Sequence, residues 1–390
     1  MKLSVLVLLA LTSVNLCVCE NKTKSAQSLD PSLEDRVPKV PKRNPIPTPV
    51  EIKNKLSQSH SFSFQQTNLE WNTWGGSVPN GAISIYNGYV GRVDHVCKYG
   101  CCSGFYNPEM GAHCHYPYGG KTYLGYPFEI LVNKDNFELM EWKDGSYGSV
   151  PQNSVKTCSN NDLYVGKNKY GLGKVDVKNE AFFLPWEGDE YWYKSYQVLT
   201  FSTDVISEHM SEVKYNTAGV SIISYPPETM RTSSITNYEC TPVTGTATLS
   251  KTEQEEQRWD TSFSITLGVK TTLTAEIPLI TSVAIEFSAA TTLQFSKGTT
   301  YIKSTTHSVS VQHTVPPNHF CKVTMVGYRY GADIPYTARL SRTYRSGETT
   351  WTSISGTYKS VQIAEVRAVV ERCEPVANPT PCSCKDGGCL

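Results

Sequence analysis

Residues 263–295 read FSITLGVKTTLTAEIPLITSVAIEFSAATTLQF, and the reading of this stretch decides the fold. Of its seventeen odd positions fourteen are apolar, including Phe263, Ile265, Leu267, Val269, Leu273, Ile277, Leu279, Val283, Ile285, Phe287, Leu293 and Phe295, and none is charged. The even positions are mostly polar, eight of sixteen being Ser, Thr or Gln and three charged, Lys270, Glu276 and Glu286. Strict period 2 is the mark of a strand with two unlike faces. The parity is the same on both sides of Pro278, which predicts a hairpin symmetric about Pro278 with a three- or five-residue turn. Each arm of about 15 residues extends roughly 50 Å, more than the roughly 25 Å apolar band of a membrane barrel. One strand pair of a β-sandwich shows the same alternation. Length favours the membrane, because strands of globular proteins usually run only about 5–6 residues. Hairpins from several copies closed into one barrel would leave no strand edge in lipid, with odd residues facing lipid and even residues facing water.

On either side of this stretch the composition is that of an all-β chain. The 390 residues include 23 Tyr, 7 Trp, 27 Gly and 22 Pro against 6 Met, which points to short strands and turns rather than long helices. At 39% hydrophobic and 18% charged the chain folds. Lys plus Arg balance Asp plus Glu at 36 each, so no basic field exists to hold nucleic acid.

From Trp71 the chain repeats itself. Gly76-Ser77-Val78-Pro79 recurs as Gly148-Ser149-Val150-Pro151, Tyr89-Val90-Gly91-Arg92 as Tyr164-Val165-Gly166-Lys167, and Tyr116–Tyr123 (YPYGGKTY) as Leu184–Tyr191 (LPWEGDEY). Residues 62–200 are therefore expected to be one duplicated β domain, followed by a Thr- and Ser-rich β domain over 201–373 and a cysteine-rich tail over 374–390. Ahead of them, Lys2 and the apolar run Leu3–Leu11 have the layout of a signal peptide ending near residue 19. Residues 20–61 lack aromatics and read as a linker or as a propeptide cut at Lys42-Arg43.

Export permits disulfides, and eleven cysteines follow residue 19, an odd number that leaves the pairing open. Cys97, Cys101, Cys102, His113, Cys114 and His115 crowd together, but their spacing matches no standard zinc finger, so disulfides are expected and no metal or cofactor. None of the eight histidines lies in a recognisable nucleophile or metal motif, and the catalytic residues of any hydrolase activity are unknown.

The duplicated unit with its Gly-Ser-Val-Pro, Tyr-Val-Gly-Arg and Tyr-Pro-Tyr-Gly-Gly-Lys elements resembles the DM-nine repeats of the natterins, secreted fish venom proteins. The Thr- and Ser-rich hairpin domain resembles the aerolysin pore-forming module that those proteins carry. The resemblance covers residues 62 to about 373. It implies an all-β fold, a duplicated DM-nine β domain followed by an elongated aerolysin-like one. It implies a secreted toxin whose repeat domain binds cell-surface glycans and whose β module forms a homo-oligomeric pore in the target-cell membrane. It also implies kininogen cleavage, with kininogen as a partner. A sugar offers hydroxyls to charged groups and a CH face to rings, so the glycan candidates are Asp94, Lys121 and Tyr123 in the first copy and Lys167, Asp189 and Tyr191 in the second. A plain lectin, with the second β domain as a stalk, is the remaining reading.

Overall fold

The computed structural model describes residues 67–263, 265–266, 268–295 and 298–382. The expected signal peptide, the segment holding Lys42-Arg43, and Leu267 lie outside the described residues. The chain divides into two compact units, Met1–Thr203 and Asp204–Leu390. The described residues contain strands and two short 3₁₀ turns, and no α-helix; the fold is all-β.

In the first unit the described strands form one sheet that reads outward from its middle in the same order on both sides. One half runs Lys121–Gly125, Cys114–Tyr118, Cys102–Tyr106, Arg92–Tyr99, Glu129–Asn133, Leu69–Thr73. The other runs Asp189–Tyr193, Ala181–Trp186, Gly171–Asp176, Leu163–Asn168, Ser195–Phe201, Met140–Ser146. The sequence repeat is thus a pseudo-two-fold in space. Its axis passes between Lys121 and Asp189, which pair directly. The flanking bonds are equivalent under the repeat: Thr122 N donates to Gly188 O at 3.0 Å and Glu190 N to Gly120 O at 3.2 Å.

Two glycines obey the same symmetry. A Cβ at Gly104 would sit 1.9 Å from the His115 carbonyl oxygen, and one at Gly173 would sit 2.0 Å from that of Phe183. Both positions need glycine because a neighbouring strand crosses where a side chain would begin. Apolar faces close over two main cores, one around Trp71, Val96, Leu131, Val165 and Leu199 and another around Val175, Phe182, Leu184 and Val198. A fully buried Lys174 stitches the copies together. It donates to Pro117 O at 2.8 Å and lies 3.6 Å from Glu190, whose other oxygen accepts from Gly120 N.

The second unit is built on long strands: Val243–Thr261, Thr300–Val315, His319–Tyr344 and Thr349–Val370, the third of 26 residues and so roughly 85 Å long. The sheet order is Thr291–Gln294, Lys270–Ala275, Val205–Tyr215, His319–Tyr344, Thr349–Val370, Val243–Thr261, Thr300–Val315. Glu228–Asn237 pairs separately with His319–Tyr344 and covers the apolar face around Leu249, Val323 and Met325.

Disulfides join Cys97–Cys114 and Cys101–Cys158 in the first unit, and Cys240–Cys382 and Cys321–Cys373 in the second. Four such bridges fit an oxidising, extracellular compartment. They also take up three of the cysteines that crowd near His113 and His115.

The glycine geometry gives a direct prediction. Gly173→Ala should destabilise the protein by roughly 3 kcal/mol, since its Cβ meets backbone that cannot yield. Gly88→Ala, where a Cβ meets nothing within 4 Å, should leave the melting temperature unchanged. Thermal unfolding of the two variants checks both.

Candidate functional site

The segment between Thr261 and Thr300 is where the second unit departs from regularity. The strands on either side of it, Val243–Thr261 and Thr300–Val315, are zipped together for sixteen consecutive pairs, from Val243↔Val315 to Arg258↔Thr300. That register is centred on Leu279. The segment does not continue it. Lys270–Ala275 crosses to the far side of the sheet and pairs in parallel with the Val205–Tyr215 strand, Ser207↔Lys270 to Met210↔Leu273.

A hairpin is present, but it differs from the expected one. Lys270–Ala275 pairs with Thr291–Gln294, Leu273 opposite Leu293, while Pro278–Ile280 pairs with Ile285–Phe287, Leu279 opposite Glu286. The turn is Thr281–Ala284, closed by Thr281 N donating to Ala284 O at 3.0 Å. The centre therefore lies between Ser282 and Val283, not at Pro278. One extra residue on the returning arm breaks the parity between base and tip.

Burial follows the alternation only as far as Ile277. Thr271, Leu273, Ala275 and Ile277 are buried, and Lys270 and Glu276 exposed. The pattern then inverts, with Pro278 and Ile280 buried and Leu279 exposed. On the return arm Val283 is 88% exposed, Glu286 and Phe287 are exposed, Ile285 and Leu293 half-buried, and Phe295 buried. Phe263, Ile265 and Val269 are half-buried.

Two side-chain clasps hold the segment. Gln362, buried on the Thr349–Val370 strand, donates its amide Nε2 to Pro278 O at 2.9 Å and accepts Ile280 N on Oε1 at 3.2 Å. It thus acts as one more strand edge. Tyr358 supports it, its hydroxyl 3.2 Å from the same amide nitrogen; burial pushes that phenol up to about 12. The second clasp is Glu208, fully buried beside Arg342 at 3.0 Å. Its carboxylate accepts Thr266 N at 2.9 Å and Thr266 Oγ1 at 2.8 Å. The Arg342 guanidinium also lies 5.5 Å from the Phe263 ring centre. Aromatic contacts complete the bay, Phe287 on Tyr215 at 5.4 Å and Phe295 beside Trp259 at 5.8 Å. The clasp residues lie about 60 to 85 positions from the segment they hold, and no local pattern marks them.

The six glycan candidates are not brought together. Lys121 and Asp189 form an exposed ion pair of 2.8 Å across the pseudo-two-fold. Tyr123 is exposed nearby and stacks on Tyr116 at 5.8 Å. Tyr191, its repeat equivalent, is buried in the core with Tyr170 and Tyr196. Lys167 lies 4.6 Å over the Trp142 ring, and burial lowers its pKa. Asp94 is fully buried, salt-bridged to Arg92 at 2.7 Å and bonded by Asn87 Nδ2 at 3.0 Å. Asp94 is held inside the fold by Arg92 and Asn87, and the Tyr191 ring packs into the core, so neither stands exposed as Lys121 and Tyr123 do.

Among the described residues no catalytic constellation is brought together. The histidine ring nitrogens among them that make polar side-chain or backbone contacts meet Thr272 Oγ1, Pro317 O and Cys373 Sγ, and none meets a carboxylate. His313 lies close to Cys321 and Cys373, but these sulfurs are joined in a disulfide and offer no thiolate to a metal.

A β unit built from a tandem repeat, followed by an elongated β unit carrying a clasped amphipathic segment, defines a two-part class of β proteins. The chain belongs to the natterin family. It is 47% identical over 384 residues to Natterin-3 of Thalassophryne nattereri, covering 98% of this chain and 100% of that one. It is 46% identical to Natterin-4 of the same organism over 84% of each chain. The DM9 repeat family model matches residues 84–173. Among solved structures, the lamprey immune protein aligns with 80% of this chain and 94% of its own at 16% identity and a TM-score of 0.37.

The clasp yields a prediction. Gln362→Ala removes two bonds to the segment backbone at about 1 kcal/mol each, and amide exchange at Ile280 should accelerate roughly thirtyfold. Exchange in the strand pair Val243–Thr261 and Thr300–Val315 should not change. Hydrogen exchange by mass spectrometry or NMR reads both.

Proposed function

We propose that this protein is a secreted toxin of the aerolysin-like pore-forming type. The repeat unit docks on cell-surface glycans, copies of the chain associate on the target-cell membrane, and residues 261–297 insert as one hairpin of a shared β-barrel. A single observation carries the reading. When the sixteen-pair register of the two long strands is extended through the segment, Phe263 meets Phe295, Ile265 meets Leu293, Leu273 meets Ile285 and Ile277 meets Thr281. Every odd residue then faces every other, parity is unbroken, and the turn falls at Leu279. The polarity pattern is therefore written for a pairing that the segment does not adopt while it is clasped.

Conversion requires release of the Gln362 and Glu208 clasps and of the short strand pairs. In exchange, the backbone groups of residues 276–290 gain a full ladder, which a strand in lipid requires. For docking, the exposed Lys121–Asp189 pair beside Tyr123 offers charge, hydroxyl and ring together, the chemistry suited to a sugar. Lys167, set against Trp142, is a separate second candidate. Kininogen cleavage stays outside the proposal, since no observed geometry supports it.

Two neighbouring residues at the turn separate a pore from a stalk. Val283 and Ser282 are both exposed in the clasped form, so aspartate at either position leaves that fold intact. In the barrel Val283 faces lipid and Ser282 the lumen. Val283→Asp should therefore strongly reduce dye release from liposomes, since every copy would then carry a carboxylate on the lipid face. Ser282→Asp should retain release. Equal activity of the two variants would refute the assignment of faces. Binding should be lost separately: Lys121→Ala should weaken attachment to glycan-bearing vesicles several-fold without changing the melting temperature.

A further inference from the structure

The charges on the even face of the segment are few enough to follow one by one. Between Ser262 and Gln294 they are Lys270, Glu276 and Glu286, and all three are exposed in the clasped form. In the register centred on Leu279, Glu276 stands opposite Ser282, three residues from the turn. Glu286 stands opposite Thr272, seven residues from it, and Lys270 opposite Ser288, nine residues from it.

Lys270 and Glu286 are then diagonal neighbours on one face, two positions apart on adjacent strands, within reach of their long side chains. They offset each other. Glu276 has no such partner. Its even-face neighbours are Thr274, Pro278, Ile280, Ser282 and Ala284, none of them charged, and the nearest cation, Lys270, is six residues along the same strand, roughly 20 Å away. In a closed barrel each copy contributes one Glu276, so the carboxylates form a ring close to the end that crosses the membrane first.

We infer that the pore selects small cations over anions and that the ring of Glu276 carboxylates sets this selectivity, with Lys270 and Glu286 as a neutral pair further up the lumen. The inference rests on the pore reading given above. Its physical basis is that a ring of like charge in a narrow lumen raises the local concentration of counter-ions and repels co-ions.

The test is the reversal potential of wild-type protein in planar bilayers across a potassium chloride gradient. The expected result is a shift toward the potassium equilibrium potential. Glu276→Gln should move the reversal potential toward zero, and Glu276→Lys should reverse its sign. Lys270→Gln, which frees Glu286, should increase the preference for cations, and Glu286→Gln should reduce it. Because these side chains are exposed in the clasped form, the substitutions do not disturb its core. Channels that favour chloride, or a reversal potential unmoved by Glu276→Gln, would overturn the inference while leaving the pore in place. Absence of any conductance by the wild type would instead overturn the pore reading itself.

Discussion

The second unit is organised around one constraint: the odd face of residues 263–295 cannot be left in water. Leu273, Ala275, Ile277 and Phe295 are buried against the sheet, although the strands that lead into and out of the segment lie at the opposite side of that sheet. The odd placement of Lys270–Ala275 follows. It joins the Val205–Tyr215 strand in parallel, within a sheet whose other pairings are antiparallel, and there its apolar face finds cover. Burial is incomplete, and the price is visible at Leu279, Val283 and Phe287, which stay exposed around the turn.

The means of holding the segment are matched to that partial burial. Pro278 has no N–H to offer a neighbouring strand, yet its carbonyl and the Ile280 amide are both engaged by a single glutamine side chain. Such bonds contribute on the order of 1 kcal/mol each, and those to a charged group such as Glu208 about 1.5–3. A segment packed by a continuous core would be far harder to release. Polar clasps at two points, with exposed apolar residues between them, hold the segment without a continuous core.

How much of this was legible in the chain depends on the range of the cause. Period 2 from Phe263 to Phe295 and the duplicated strings around Tyr89 and Tyr164 are local properties, and they announced an all-β fold and the segment itself. The hairpin centre was not legible, because it is set by Gln362 and by the turn at Thr281–Ala284 rather than by the alternation. The alternation has the parity of the pairing that would continue from the long strands, centred on Leu279, whereas the fold adopts another. Among the glycan candidates, Asp94 misled because a charge in a turn-rich string looks exposed, while Asn87 and Arg92 close over it. Tyr123 and Tyr191 occupy equivalent places in the repeat, and only the packing of Tyr170 and Tyr196 decides that the second is buried.

The duplication in the first unit has a consequence that two identical subunits could not reach. On a true two-fold axis a residue meets its own copy, and a lysine there would face a lysine at repulsive distance. Here position 121 and its repeat equivalent 189 meet at the pseudo-axis as Lys and Asp and form an ion pair. Divergence within one chain thus turned the least favourable place for a charge into a bonded one. It also made the surface one-sided, since the exposed ring of Tyr123 stands on one flank of the pair and the corresponding ring on the other is withdrawn into the core. A tandem repeat of this kind presents one exposed pairing of charge and ring where its sequence symmetry suggests two.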